Sequence, residues 1–272
     1  MKQSNITPEI LYEDEQYIVF NKPAGLVVHA DGRSKESTLA DWLLKNRPDM
    51  SKVGEPLVIG EGTEKEQTIL RPGIVHRLDK ETSGAIVVAK TSAAFKDLKE
   101  KFQNREVGKK YHVFVYGNLS DEDGTINRPI GRSKSDFRKW SAQRGARGEM
   151  RDAITNYRVL THGEIGGVKF DLVEAQPKTG RTHQIRVHFK AIHHPVVADS
   201  LYAPNQTAIP AVPAEGETGL GPNLGFKRLA LHAHEISFIP KSRAKNPKRI
   251  VVQAPYPEDF AGAVELVSKT ER

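Results

Sequence analysis

Two hydrophobic periods alternate along this chain, and short turns join several of the segments that carry them. Tyr17-Ile18-Val19-Phe20, Ala85-Ile86-Val87-Val88-Ala89, Lys110–Gly117 and Val168–Val173 read as strands, with Tyr111, Val113 and Val115 on one face of the third. Helical spacing appears after Ser37, a candidate cap, where Leu39, Trp42 and Leu43 share a face. It returns from about Ser92, with Phe95, Leu98 and Phe102 in one stripe, and again at Ile185, Phe189 and Ile192, stopping before Pro195. Two late strands, near His234–Ile239 and Ile250–Gln253, precede a terminal helix in which Phe260, Val264 and Val267 can pack. Short links between unlike elements favour a mixed, largely antiparallel sheet flanked by helices and loops over a strict parallel α/β sheet, so the expected class is α+β.

Three stretches break the pattern. Residues 47–70 are rich in Pro, Gly and Glu and read as an irregular loop. Residues 132–151 hold Arg132, Lys134, Arg138, Lys139, Arg144, Arg147 and Arg151 with little apolar content, which predicts a basic loop or ribbon. Residues 203–226 are rich in Pro and Gly and carry no Lys or Arg; they read as an inserted surface loop, in the position of a lid.

At 272 residues, with 38% hydrophobic content, the chain can bury a large core. Cysteine is absent, which excludes disulfides, thiolate zinc sites, iron–sulfur clusters and a cysteine nucleophile. The first residues lack a signal peptide's apolar core, and no apolar run approaches the roughly 20 residues that span a bilayer. The expectation is a cytoplasmic protein with no membrane partner. A formal net charge of +7 suggests a polyanionic partner. Lys96–Lys110, Arg132–Arg151 and Lys241–Arg249 could each track phosphates or simply be solvated faces.

The chemistry is concentrated in two segments. His76-Arg77-Leu78-Asp79-Lys80-Glu81-Thr82-Ser83-Gly84 sets one carboxylate between two cations just before an apolar strand. Thr179-Gly180-Arg181-Thr182-His183-Gln184-Ile185-Arg186-Val187-His188 is a glycine turn opening a helix with two arginines and two histidines. The flanking cations favour the ionised form of Asp79, which can then serve as nucleophile or acid–base group. A salt-bridged Asp at a strand end is the alternative for such a residue taken alone. His183 and His188 are five apart and do not share a helix face, so no metal site is expected from them.

These two segments, with Lys110-Tyr111-His112-Val113-Phe114-Val115-Tyr116-Gly117 between them, resemble the RluA-type family of RNA pseudouridine synthases. Similar features run from about Glu9 to Gln253, including Asn21-Lys22-Pro23-Ala24-Gly25 and His194-Pro195-Val196-Val197-Ala198-Asp199. Ala30 departs from the family's usual Pro and Ala198 from its usual Gly. The resemblance implies the pseudouridine synthase fold with an active-site cleft across the sheet. It also implies a single catalytic domain over residues 9–272 with 203–226 inserted. Only about eight residues precede the first strand, so the amino-terminal S4 domain of some relatives is not expected.

By the same resemblance Asp79 is the essential catalytic residue. The reaction breaks the uridine N1–C1′ bond, turns the base over and joins C5 to C1′, which calls for no cofactor and no metal. Asp79 either attacks C1′ or acts by deprotonating the sugar. Tyr111 is implied in catalysis, stacking on the extruded base or exchanging a proton near C5; as a core tyrosine it would only pack. Arg186 is the candidate partner of Asp79, and Arg181 the candidate for RNA phosphate, with the two roles open to exchange. Arg77 could fill the gap left by a flipped uridine, His183 is assigned with Arg181 to substrate binding, and Leu231 could pack beside the base or in the core. The implied substrate is structured ribosomal or transfer RNA, handled by a monomer with no obligate protein partner. A non-catalytic RNA-binding protein on the same scaffold is the alternative, and an Asp-dependent hydrolase a third reading that lacks a second acid or metal cluster.

Overall fold

The order of elements is β1 Glu9–Glu13, β2 Tyr17–Lys22, α1 Leu39–Asn46, β3 Leu57–Ile59, β4 Gln67–Ile69, β5 Ser83–Ala89, α2 Ser92–Gln103 and β6 Gly108–Tyr116. Then follow β7 Asp123–Asn127, β8 Ile130–Arg132, β9 Trp140–Ser141, β10 Arg147–Arg151, β11 Ile154–Ile165 and β12 Val168–Pro177. The chain continues with α3 Gln184–Ala191, α4 Pro204–Thr207, β13 Leu231–Phe238, β14 Ile250–Gln253 and α5 Glu258–Ser268. This computed structural model describes residues 7–30, 32, 36–63, 66–143, 146–207, 223–241 and 246–270. It divides into two compact units, Met1–Gly108 with Ala233–Pro255, and Lys109–His232 with Tyr256–Arg272.

In the first unit the strand order is β1-β2-β5-β13, with β14 on β13. β1–β2, β2–β5 and β13–β14 are antiparallel. β5 is buried along its whole length, as an apolar run with no polar face requires. Gly84 in β5 has φ 111°, and a Cβ there would stand 2.2 Å from the Ala233 carbonyl oxygen, so only glycine lets these strands approach. Thr91 caps α2 by accepting from the Ala94 N–H at 3.1 Å. The buried Asp97 of α2 accepts from the Tyr17 hydroxyl at 3.0 Å and pairs with Lys101 at 2.8 Å. Phe95 and Leu98 are buried as expected, whereas Phe102 stacks on His76. α1 is capped by Thr38, one residue past the expected Ser37, because Thr38 and Asp41 form a reciprocal capping box.

In the second unit the order is β6-β12-β11-β7, antiparallel throughout. Alternation along β6 sends Val113 and Val115 into one apolar cluster with Val173, Ala175, Ile185 and Phe189. Phe114 and Tyr116 enter another with Phe170, Leu172, Phe260 and Ala263. The α3 side chains therefore cover one face of this sheet and the α5 side chains the other. β11 and β12 form a long hairpin closed by Gly166-Gly167 between the paired Ile165 and Val168. Both glycines have positive φ, 57° and 72°, as a two-residue type I′ turn demands.

Several expectations need correction. Residues 47–70 are not one irregular loop, since they contain a 3-10 helix at Pro48–Lys52 and the β3–β4 hairpin. The basic stretch, expected as a loop or ribbon, is a ribbon of three short strands in the order β10-β8-β9 with loops between them. Of the expected surface insertion 203–226, residues 208–222 lie outside the described residues. At its ends Pro204, Asn205 and Gly225 are exposed, whereas Ala203, Leu224 and Phe226 are buried in the α5-side cluster. Ala198 has φ 56°, a left-handed conformation in which a Cβ costs roughly 1–2 kcal/mol, which gives a physical reason for glycine at that position in relatives. Among the described residues no helix is long and apolar enough to cross a membrane.

Candidate active site

Asp79 and Arg77 are carried by the first unit, and Tyr111, Arg181, His183, Arg186 and Leu231 by the second. The loop that bears Asp79 leads straight into the buried β5 and is fastened on both sides. Upstream, His76 accepts from the Val87 N–H at 3.1 Å and stacks on Phe102 with ring centroids 4.5 Å apart. Downstream, the Lys80 carbonyl accepts from the Gly25 N–H at 2.8 Å and from the Lys22 ammonium at 3.1 Å. The Thr82 N–H closes a turn onto the Asp79 carbonyl at 3.1 Å. Asp79 itself is half-buried between the exposed Arg77 and the exposed Lys80. The Lys80 ammonium pairs with Glu36 at 2.7 Å.

Lys22 is a buried supporting residue that sequence reasoning did not single out. It is fully buried and donates to the carbonyls of Pro23, Leu26 and Lys80 at 2.9, 2.9 and 3.1 Å. A buried ammonium is costly unless its three N–H groups are used, and here three backbone oxygens meet them. Its signal was the Asn21-Lys22-Pro23-Ala24-Gly25 segment, which reads as turn chemistry and as part of the family resemblance without marking Lys22 itself.

In the second unit the glycine turn before α3 is locked by Gln184. Its side-chain oxygen accepts from Thr179 Oγ1 at 2.6 Å and the Arg181 N–H at 3.0 Å. Its amide donates to the Ile154 carbonyl at 2.9 Å and to Thr155 Oγ1 at 3.0 Å. The N-cap of α3 is His183, held at φ 55° with Nδ1 2.9 Å from the Tyr202 hydroxyl. His188 is buried between Thr155 Oγ1 and the Arg128 carbonyl, and burial pushes its pKa down, toward the neutral imidazole. Among the described residues no group of three or more His, Asp or Glu is placed to hold a metal ion.

Arg186 is buried, and its Nε and Nη2 hold Asp199 Oδ2 and Oδ1 at 2.7 and 2.9 Å. Sequence reasoning expected a fork on Asp79; within its own unit the Nε–Nη2 edge meets Asp199. Asp199 is fully buried and also accepts from the Leu201 and Tyr202 N–H groups, each at 3.0 Å. The Arg186 guanidinium lies 5.0 Å from the Tyr202 ring centroid. Asp199 and Tyr202 were thus missed, although Asp199 ends a segment already noted. Arg181 is half-exposed, its Nε on the Asp152 carbonyl at 3.0 Å. Tyr111 packs half-buried against the cluster that includes Val113, Ile185 and Leu231. Leu231 is 4% exposed, so it contributes to the core in any case.

The family model described as RNA pseudouridylate synthase matches residues 16–191. An uncharacterized RNA pseudouridine synthase of Synechocystis sp. is 38% identical over 94% of this chain and 68% of its own length. The ribosomal large subunit pseudouridine synthase D of Zymomonas mobilis is 34% identical over 94% of this chain and 71% of its own. Among solved structures, human RNA pseudouridylate synthase domain containing 4 superposes with a TM-score of 0.66 at 26% identity, covering 96% of this chain and 93% of its own. The chain belongs to the RluA-type RNA pseudouridine synthase family. It is an isomerase of uridine in RNA, and the non-catalytic reading is not favoured.

Proposed function

We propose that this protein isomerises uridine to pseudouridine in large-subunit ribosomal RNA, as an intramolecular transferase acting in the cytoplasm as a monomer and a single catalytic domain. Support for the substrate comes from relatives named ribosomal large subunit pseudouridine synthase D, which align over nearly the whole chain. The observation that carries the mechanism is the fastening of the Asp79 loop: His76, Gly25 and Lys22 hold the backbone on either side of Asp79, which fixes where its carboxylate starts from before substrate arrives.

In this reading the target uridine leaves its stack and Asp79 acts on the sugar, by attack at C1′ or by removing a sugar proton. The N1–C1′ bond breaks, the uracil turns, C5 bonds to C1′, and the C5 hydrogen departs as a proton while N1 takes one up. Tyr111 stacks on the base or takes that proton. Arg186 steadies the site while anchored by Asp199, Arg77 fills the vacated position, and Arg181 with His183 meets the RNA. Leu231 packs beside the base. The rearrangement is redox-neutral and needs no cofactor. Mapping pseudouridine across total RNA with and without the gene tests the substrate. Loss of specific large-subunit rRNA signals, restored by the wild-type gene but not by Asp79→Asn, is expected; unchanged ribosomal RNA with a lost transfer-RNA signal would redirect the assignment.

A further inference from the structure

The second unit carries buried polar groups on the face of its sheet turned away from Tyr111. Alternation along β6 places Tyr111 against the α3-side cluster, so His112 lies on the α5 side, where Phe114, Phe170 and Phe260 make an apolar cluster. His112 and Glu174 are buried, and His232 is fully so. Titratable groups in such surroundings are costly unless partners meet them, so the partners show what the groups are for.

Those partners form one line across three strands. His112 stands opposite Glu174 in the β6–β12 ladder, and Glu174 opposite Arg158 in the β12–β11 ladder. His112 Nε2 lies 3.9 Å from Glu174 Oε2, Lys110 Nζ 4.0 Å from the same oxygen, and Arg158 Nη2 3.6 Å from Oε1. The Gln176 amide donates to Glu174 Oε1 at 2.9 Å. On its other side, His112 Nδ1 is hydrogen-bonded to the hydroxyl of Tyr256, just before α5. The Tyr256 ring packs on Phe260 and His232, with centroids 5.0 and 5.6 Å apart. Burial, and then the Glu174 charge, push the Tyr256 pKa up. The phenol therefore stays a donor to Nδ1, which leaves the His112 Nε2–H for the carboxylate.

Such a line fixes strand register. Tyr111 is paired with Ala175; a slip of β6 by one residue would turn Tyr111 to the α5 side, and a slip by two would carry it about 7 Å along the strand. Val113 and Val115 are alike two residues apart, as are the aromatic Phe114 and Tyr116, so apolar packing resists the second slip only weakly. Either direction of that slip would set Lys110 or Phe114 in the place of His112. Neither side chain can both accept from Tyr256 and donate to Glu174. We propose that His112, held by Tyr256 and Glu174, is a positioning residue that fixes β6 where Tyr111 faces the substrate. It touches no reacting atom and acts from the opposite face of the sheet. This rests on the catalytic role given to Tyr111.

The test uses the full chain, with single-turnover tritium release from C5-labelled large-subunit ribosomal RNA at saturating enzyme, and RNA affinity measured separately. Tyr256→Phe keeps the ring on Phe260 and removes only the hydroxyl. Release should slow at least about fivefold, since displacement by about 1 Å can cost about a hundredfold, while RNA affinity stays within about twofold. His112→Leu should behave alike, and the double variant should be no slower than the slower single to within about twofold, because both break one chain of bonds. His112→Gln, whose amide can accept from Tyr256 and donate toward Glu174, should recover release to within about twofold of wild type. Rates are taken per folded molecule, at a temperature where each variant is folded, so lost stability alone would not move them. Should His112→Leu fail to fold, Tyr256→Phe decides by itself. Normal release by Tyr256→Phe, or two effects that add fully, overturns the proposal. Tyr111→Ala with normal release would reject the role of Tyr111 and the positioning with it. An inactive Tyr111→Ala beside a normal Tyr256→Phe would reject the positioning alone.

Discussion

Lys22→Met should damage both stability and turnover, although Lys22 carries no reacting atom. Methionine fills similar space but supplies no N–H, so the carbonyls of Pro23 and Leu26 lose their 2.9 Å donors. The Lys80 carbonyl keeps the Gly25 N–H. Leaving a buried acceptor unmet costs about 1–3 kcal/mol, so two give roughly 2–6 kcal/mol. Removing a buried charge returns part of that, and a net loss of about 3 kcal/mol is expected. A loss of that size is a large fraction of a typical stability of about 5–15 kcal/mol. Because one of the three bonds fastens the residue next to Asp79, turnover at saturating RNA should also fall at least about tenfold; displacements near 1 Å can cost about a hundredfold. Urea unfolding followed by fluorescence reads the first effect, and tritium release from C5-labelled RNA at low temperature, where the variant remains folded, reads the second. A variant that unfolds at the wild-type urea concentration and turns over normally would refute the role given to Lys22.

Other perturbations separate the remaining roles. Arg186→Lys keeps the charge but loses the two-nitrogen edge on Asp199, so turnover should fall at least about tenfold with little change in RNA affinity. Arg181→Lys should instead weaken RNA binding and spare turnover at saturating RNA; exchanged phenotypes in steady-state kinetics would reverse the two assignments. Tyr111→Phe should allow glycosidic cleavage but stall the final product if the hydroxyl takes the C5 proton, and full turnover by Phe with failure of Ala would leave stacking as the role. His162, held by Glu122 and by the buried Asp171, has its pKa raised by those carboxylates. A group whose folded pKa is raised stabilises fully below its unfolded pKa, near 6.5, and ceases to do so as pH rises through the folded value. The Tm difference between wild type and His162→Gln should therefore be largest near pH 6 and shrink with rising pH; a difference independent of pH would discount the charge.

What the sequence revealed follows how locally each element is determined. The runs at Ala85–Ala89 and Lys110–Gly117 are dense in β-branched and aromatic residues, and both are strands. The twelve-residue β11 was not read, because Asn156, Arg158, Thr161 and His162 interrupt any apolar pattern. Its strand state is imposed by ladders to β12 and β7 on either side, though Gly166-Gly167 was a local hairpin signal that went unused. Leu224 and Phe226 were assigned to a surface loop on composition, yet they join the Phe114–Phe260 cluster, a contact between residues distant in sequence. At the site, Asp79, Tyr111 and Arg186 were legible as motif residues. Their supports, Lys22 and Asp199, were not, since a lysine in a turn segment and an aspartate after an apolar run carry no local sign of full burial. Of the basic cluster, Arg144 lies outside the described residues, Arg132, Arg147 and Arg151 stand on strands of a small sheet, and Lys134, Arg138 and Lys139 lie in the β8–β9 connection.

The central claim is that Asp79 performs the isomerisation, and one measurement addresses it most directly. Purified wild type and Asp79→Asn, matched for fold by circular dichroism, are given large-subunit ribosomal RNA carrying tritium at uridine C5, and released tritium is counted against pseudouridine formed. The account predicts release matching product for wild type, none for Asp79→Asn, and RNA affinities within about tenfold, or about 1.4 kcal/mol, of each other. Appreciable turnover by folded, undeamidated Asp79→Asn protein would contradict it.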